Sequence, residues 1–275
     1  MARWSFALRV ADYAFALEGE GAELEQLART LFSGARTSDQ DDACERFSLC
    51  RSGDFYLLLK GEEEVCRSAS LSAFFQEVEW ALTQSAMNGL GHFFQLHAGG
   101  VARKGKGELL VGFPDSGKTS LVLGLAAAGA AVLSDEVALI DAQTLSVCSF
   151  PRDLIVHRTT QQLFAEGISR LDSPPWKIFP AYRYISPVEL DLSIPVEPVS
   201  IARLIFPVLK PGAAFAHRTL GAAETARRLL EQAFNLGRWG EEGIELIGRL
   251  AEEVAAVEVC FADARTAAEW LVRAD

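Results

Sequence analysis

The stretch GFPDSGKTS, residues 112–120, decides the fold of the main part of this chain. It has the Gly-x-x-x-x-Gly-Lys-Thr spacing of a loop that wraps around nucleotide phosphates. A strand-like run, GELLVG, leads into it, and a helix-like run, KTSLVLGLAAAG, follows and ends at Gly129, a typical helix-terminating glycine. This strand–loop–helix order is the context in which the motif binds phosphate, so we predict a nucleotide site here.

The chemistry of the loop assigns a role to its residues. Glycines at 112 and 117 let backbone N–H groups turn toward phosphate oxygens, and the helix N-terminus adds its positive dipole end. Lys118 can reach the β- and γ-phosphates, and the Thr119 hydroxyl suits a Mg²⁺ position. The predicted nucleotide-binding residues are Gly112, Asp115, Ser116, Gly117, Lys118, Thr119 and Ser120.

Two adjacent acids lie 17 residues beyond Lys118. Asp135 and Glu136 follow the apolar run AAVL, so we expect them at a strand end beside the loop. One carboxylate can hold Mg²⁺ directly or through water, while the other accepts a proton from an attacking hydroxyl. The alternative is a plain surface turn between two strands.

A histidine lies in the apolar run before the loop. The strands QLHAGGVAR and GELLVG around the turn KGKG predict a hairpin, with His97 in its first strand. A histidine among apolar residues is usually structural, whereas Gly99 and Gly100 beside it indicate tight packing or close backbone approach. The residues alone leave both a structural role and a site role open for His97.

The chain divides by pattern into two parts. Residues 1–90 predict a small α+β module, and residues 91–275 predict the nucleotide-binding core. Within that core, residues 151–198 hold seven of the ten prolines and are expected to be irregular. This Pro-rich segment also carries several basic residues, and it is predicted either to contact substrate or to form a solvated lid. The runs 201–209 and 213–220 predict a second hairpin.

Composition limits the classes of partner. The net charge of −11 argues against a broad nucleic-acid surface, which needs clustered Lys and Arg. The longest nearly uncharged apolar run, LVLGLAAAGAAVL, is too short to cross a bilayer, and the N-terminal stretch is too charged for a secretory signal, so no membrane association and a cytoplasmic location are expected. The five cysteines contain no CxxC pair and are expected to be reduced thiols.

The stretch LHAGGVARKGKGELLVGFPDSGKTSLVLGLAAAGAAVLSDEVALID resembles the catalytic core of HPr kinase/phosphorylase, a bacterial serine kinase whose core is similar to phosphoenolpyruvate carboxykinase. A histidine on a hairpin strand, the loop, a short helix and paired acids come in the same order. The later stretches SFPRDLIVH and FNLGRWGEEGIELIGRLAEEV look most like the HPr kinase-related kinase A group. Where HPr kinase has a second Asp, this chain has Glu136.

The resemblance implies a fold and a set of site residues. The fold class is α/β, an HPr kinase/phosphoenolpyruvate carboxykinase-like P-loop core with a mixed, hairpin-containing sheet, plus the small N-terminal α+β module. Asp135 would be the general base and Glu136 a metal-associated partner with Thr119, although the roles of the two acids could be exchanged. The implied catalytic residues are Asp135, His97 and Lys118, and Arg152 is the implied substrate residue.

The implied function is ATP- and Mg²⁺-dependent phosphoryl transfer to a hydroxyl, with a serine of a peptide or small protein as the favoured acceptor. Two alternatives stay open: a kinase of a small metabolite, and a nucleotide-binding regulatory protein with little transfer activity. Members of the kinase A group tend to be associated with a small PqqD-like peptide-binding protein, which makes such a protein a candidate partner. HPr kinase is an oligomer, so self-association is compatible with the resemblance.

Overall fold

The computed structural model describes residues 2–39 and 42–274, and the chain forms two compact units. The first unit comprises Met1–Leu90 and Pro151–Leu190, and the second comprises Gly91–Phe150 and Asp191–Asp275. Both contain helices and a mixed sheet, so the fold class is mixed α/β. Most of the Pro-rich segment clusters with the N-terminal residues, whereas the sequence grouped all of it with the core.

The elements up to residue 150 are β1 (Arg3–Val10), β2 (Tyr13–Glu20), α1 (Ala22–Thr30), β3 (Arg36–Ser38), β4 (Glu45–Ser52), β5 (Phe55–Lys60), β6 (Glu63–Ser68), α2 (Leu71–Gly89), β7 (Phe94–Arg103), β8 (Lys106–Val111), α3 (Lys118–Ala127), β9 (Ala131–Ser134), β10 (Val137–Asp141) and β11 (Ser146–Cys148). The remaining elements are β12 (Leu154–His157), α4 (Arg158–Leu163), α5 (Ala165–Ile168), β13 (Tyr182–Ile185), β14 (Val199–Leu209), β15 (Ala216–Thr219), α6 (Ala222–Leu230), α7 (Leu236–Glu253), β16 (Ala255–Phe261) and α8 (Ala264–Arg273), with short 3₁₀ turns at Pro175–Lys177 and Val188–Leu190. Of the described helices, none is long and apolar enough to cross a membrane.

The first unit is built on a six-stranded sheet in the order β3-β1-β2-β4-β5-β6. Phenylalanines 15, 32 and 47 are buried and meet edge to face, which makes an aromatic core between the sheet and α1.

The Pro-rich segment of this unit is more ordered than expected. Strands β12 and β13 pair antiparallel into a small two-stranded sheet. The Tyr184 ring of β13 meets Phe75 of α2 edge to face at 5.1 Å, and a buried Arg152–Glu79 ion pair joins the segment to the same helix. These contacts with α2 are the physical reason why the segment belongs to the first unit.

The second unit holds an eight-stranded sheet in the order β11-β10-β7-β8-β14-β16-β15, with β9 also paired to β7. The hairpin of β7 and β8 is confirmed, and positive φ angles at Lys104 (51°) and Gly105 (74°) suit its two-residue turn. The second predicted hairpin is wrong. Strand β14 pairs in parallel with β8 on one side and with β16 on the other, so β15 pairs antiparallel with β16 instead.

Helices cover both faces of this second sheet. The buried cluster contains Leu246 and Leu250 of α7 together with Leu96 and Ala98 of β7. Because neighbouring strand residues point to opposite faces, His97 and Gly99 face the other way. A Cβ on Gly99 would lie 2.9 Å from Val122 Cγ2 of α3, which locates α3 on that face. The alternation along β7 therefore directs His97 toward the helix that follows the loop.

Candidate functional site

The loop between β8 and α3 is a tight turn fixed by its neighbours. Gly117 has φ of 96°, and a Cβ there would lie 2.8 Å from Phe261 Cζ. The Leu209 amide donates a 2.9 Å hydrogen bond to the Ser116 carbonyl, which ties the loop to the end of β14. Because α3 begins at Lys118, its first amides have no intrahelical acceptor and are available to an anion at the helix N-terminus.

The Lys118 ammonium is buried at the centre of the site, with 6% of the residue exposed. Its Nζ lies 2.7 Å from the Gly112 carbonyl, 3.0 Å from the Phe113 carbonyl and 2.9 Å from His97 Nε2. Burial lowers the pKa of Lys118, and the nearby carboxylates of Glu136, Asp135 and Asp115 oppose that shift. Burial of the ammonium in a medium of low dielectric strengthens its attraction for a phosphate, whereas the nearby carboxylates stabilise its charged form.

The His97 ring lies between the Lys118 ammonium and the Glu136 carboxylate. An ammonium has three N–H donors and no acceptor, and Lys118 has three partners, so His97 Nε2 accepts. The other ring nitrogen, Nδ1, lies 3.1 Å from Glu136 Oε1. Lys118, His97 and Glu136 thus form a polar chain from the loop to the acid pair.

The acid pair is positioned by a break between two strands. Strands β9 and β10 both pair with β7, and Asp135 and Glu136 lie between them. The Ser134 hydroxyl accepts hydrogen bonds from the amides of Glu136 (3.1 Å) and Val137 (3.0 Å), which turns the chain at this point. The Glu136 carbonyl accepts from the Ala98 amide at 3.1 Å, so the pair lies directly beside His97.

The two acids have different surroundings. The Asp135 carboxylate is buried, and its Oδ2 lies 3.4 Å from the Thr119 hydroxyl. The Glu136 side chain faces His97 and keeps 30% of its surface exposed. One acid is therefore close to the loop hydroxyl, and the other is accessible to an incoming group.

The donor set fits a Mg²⁺ ion that is partly held by substrate. Among residues 2–39 and 42–274, no group of three or more His, Cys, Asp and Glu side chains is arranged to hold a metal. Thr119 and Asp135 supply a hydroxyl and a carboxylate, the hard oxygen donors that Mg²⁺ takes. Mg²⁺ commonly uses one or two carboxylates and completes its shell with water and phosphate oxygens, so this small protein contribution is sufficient.

The structure brings most predicted site residues together within the second unit. Asp115, with φ of 63°, lies in the exposed part of the loop, Ser116 is half-buried, and Ser120 is buried in the first turn of α3. Arg152 lies in the first unit, where its guanidinium forms the buried ion pair with Glu79 (Nη2–Oε2 3.1 Å). Its predicted contact with substrate stays a prediction.

Sequence reasoning missed two residues that contact His97. The connection between α6 and α7 pairs with β7: the His97 amide donates to the Gln232 carbonyl (2.7 Å), and the Phe234 ring meets the imidazole edge to face at 5.4 Å. No local pattern marks these residues, because their closeness to His97 depends on a long-range pairing. Ser134 could have been found, since Ser before two acids between strands is typical of a side-chain-stabilised turn.

Comparisons with known proteins give similarity to solved structures and no matching family. No protein-family model matches the chain, and no curated protein matches it. Among solved structures, the HPr(Ser) kinase/phosphatase from Coxiella burnetii is similar at 16% identity and a TM-score of 0.33, over 66% of this chain and 94% of that chain. Values this low do not establish a common family, so the function proposed below rests on the geometry of the site.

Proposed function

We propose that this protein is an ATP- and Mg²⁺-dependent kinase that transfers the γ-phosphoryl group to the hydroxyl of a serine in a peptide or small protein. The observation that carries the proposal is the polar chain at the loop: a buried Lys118 ammonium in contact with His97, with Glu136 beyond it and the Thr119–Asp135 pair beside it. A binding protein needs the loop and its lysine, whereas two acids beside them also provide for proton transfer.

The resemblance implies that Asp135 is the general base and Glu136 the metal-associated acid, with the two roles exchangeable. We propose the exchanged assignment. Asp135 is buried and close to the Thr119 hydroxyl, which favours a metal-side role. Glu136 is partly exposed and faces His97, which favours the role of proton acceptor. His97 is then a positioning residue that holds the Glu136 carboxylate and the Lys118 ammonium in place.

In the proposed reaction, the serine oxygen forms a bond to the terminal phosphorus of ATP as the bond from that phosphorus to the β,γ-bridging oxygen breaks. The serine proton passes to the Glu136 carboxylate, and ADP leaves with the former bridging oxygen and its bonding electron pair on the β-phosphate. The Lys118 ammonium and the amides of the loop and first turn of α3 stabilise negative charge on the phosphate oxygens. Thr119 and Asp135 would hold a Mg²⁺ ion, which would supply neutralisation of the phosphate charge.

The acceptor class is supported by the accessibility of the site. Glu136 keeps 30% of its side-chain surface exposed, and two phenylalanines that contact the polar chain, Phe113 through its carbonyl and Phe234 through its ring, are 58% and 45% exposed. An acid and flanking residues this exposed can be reached by a peptide, whereas a small-metabolite kinase normally encloses its substrate in a pocket.

The first test is transfer of label from ATP radiolabelled in its γ-phosphate to a pool of serine peptides and small hydroxyl metabolites. Lys118→Met is expected to weaken nucleotide binding and to lower label transfer by about a hundredfold or more, because it removes a buried positive charge at the phosphates. Lys106→Met, the same change at an exposed lysine of β8, is the matched control and is expected to match wild type. Nucleotide binding without label on any acceptor would refute the kinase and support a regulatory binder, and label on metabolites alone would support the small-metabolite kinase.

The second test separates the roles of the acids. Asp135→Asn is expected to raise the Mg²⁺ concentration needed for half-maximal transfer, because it removes a negative ligand. Glu136→Gln is expected to leave that concentration unchanged and to lower kcat by about a hundredfold to ten-thousandfold, the usual contribution of a general base. A kcat loss in Asp135→Asn together with a raised Mg²⁺ requirement in Glu136→Gln would instead identify Asp135 as the general base.

A further inference from the structure

The Phe234 side chain is exposed in a way that packing does not explain. It is 45% exposed, although its ring contacts His97 at 5.4 Å between ring centroids. A phenylalanine that stays partly in water forgoes part of the stabilisation that full burial would provide. Exposed large apolar groups beside polar ones often mark a binding surface.

The backbone around Phe234 is held in place independently of its ring. The Phe234 amide donates to the Gln95 carbonyl at 2.9 Å. The Asn235 side chain accepts from the Gln95 amide at 2.9 Å and donates to the Phe93 carbonyl at 2.8 Å. These bonds fix the α6–α7 connection on β7, so the ring is presented at a defined position next to His97.

A second exposed aromatic ring belongs to the loop itself. Phe113 is 58% exposed, and its carbonyl accepts from Lys118 Nζ at 3.0 Å. Lys118 Nζ also contacts His97, on which Phe234 packs. The polar chain therefore has an exposed aromatic residue at the lysine and another at the histidine.

We propose that Phe234 and Phe113 form an apolar wall that selects acceptor serines flanked by a large aliphatic or aromatic residue. The inference rests on the proposed function and narrows its acceptor class. The flanking side chain buries its surface against the wall, while the serine hydroxyl lies at Glu136. The charge of the protein supports a neutral apolar segment over an acidic one, because the site carries two carboxylates and the chain a net charge of −11.

The test uses two neutral serine peptides of equal length that differ only at the residues beside serine, Leu and Phe in one and Gln in the other. With labelled ATP, wild type is expected to phosphorylate the apolar peptide with a kcat/KM about tenfold to a hundredfold higher, which is the effect of burying one large apolar side chain. Phe234→Ala is expected to reduce that ratio to about threefold or less, mainly through a higher KM for the apolar peptide, with the nucleotide KM unchanged.

Two further variants separate selection from a structural role. Phe234→Leu keeps an apolar side chain and is expected to restore most of the preference. Ile244→Ala, at a 56% exposed position of α7, is the matched control and is expected to leave the ratio as in wild type.

The outcomes are distinct. Equal phosphorylation of both peptides by wild type would overturn the wall and leave the kinase proposal standing. A preference that survives in the Phe113→Ala, Phe234→Ala double variant would also overturn it. Absence of label on both peptides, with nucleotide bound, would overturn the peptide-kinase proposal together with this inference.

Discussion

Two glycines at opposite ends of α3 give a matched test of how the loop is held. Gly117 precedes the helix with φ of 96°, and Gly129 follows it with φ of 94°. Both need a backbone conformation that alanine adopts at a cost, but their surroundings differ. A Cβ at Gly117 would lie 2.8 Å from Phe261 Cζ and 3.0 Å from Leu209 Cβ, whereas a Cβ at Gly129 would have nothing within 4 Å.

The expected losses in the free energy of unfolding follow from this difference. Gly129→Ala carries only the left-handed backbone cost of about 1–2 kcal/mol. Gly117→Ala carries the same cost plus about 1–3 kcal/mol for forcing an extra carbon into packed surroundings. The entropy that alanine removes from the unfolded chain is the same in both variants and cancels in the comparison. Gly117→Ala is therefore expected to lose about 2–5 kcal/mol, and the excess over Gly129→Ala measures the packing behind the loop.

The assay is urea denaturation of the two variants and wild type, followed by far-ultraviolet circular dichroism, with the binding of a fluorescent ATP analogue as a second readout. Gly117→Ala is expected to weaken nucleotide binding as well, because the displaced loop no longer aligns its amides, and Gly129→Ala is expected to bind as wild type does. Equal stability losses in the two variants would refute the reasoning, since backbone strain alone would then account for both.

Three further outcomes are expected. Glu79→Gln removes the negative charge that faces the buried Arg152 guanidinium, so urea denaturation should show a loss of about 3–5 kcal/mol, and a loss under 1 kcal/mol would contradict a structural ion pair. Hydrogen bonds from Arg218 hold the pKa of Glu258 below its ordinary value of 4.5, so its stabilisation is present above that pH and is lost as pH falls through the folded-state pKa. Glu258→Gln should therefore lower stability near neutral pH. It should also reduce the difference between the urea midpoints measured at about pH 7 and about pH 3. A difference equal to that of wild type would contradict the lowered pKa of Glu258. Asn235→Ala removes two hydrogen bonds and should cost about 1–3 kcal/mol while lowering the peptide preference, and a preference equal to wild type would show that Phe234 needs no such support.

The sequence alone determined those features that depend on neighbouring residues. The strand, the loop and the helix across residues 106–127 follow from apolar pattern, from glycines where φ is positive, and from the lysine at the helix start. The β7–β8 hairpin likewise follows from a turn that tolerates positive φ at Lys104 and Gly105. These are steric and hydrogen-bonding preferences within a few residues, which a local pattern records directly.

Tertiary structure alone decided which distant segments meet. Insertion of β16 between β14 and β15 replaced the expected hairpin, and contacts with α2 drew residues 151–190 into the first unit. Pairing of β9 and β10 with β7 set Asp135 near Thr119 and Glu136 near His97, and pairing of the α6–α7 connection brought Phe234 to the same histidine. Such pairings are selected by the summed burial and hydrogen bonding of whole elements, and no short stretch of residues carries that sum.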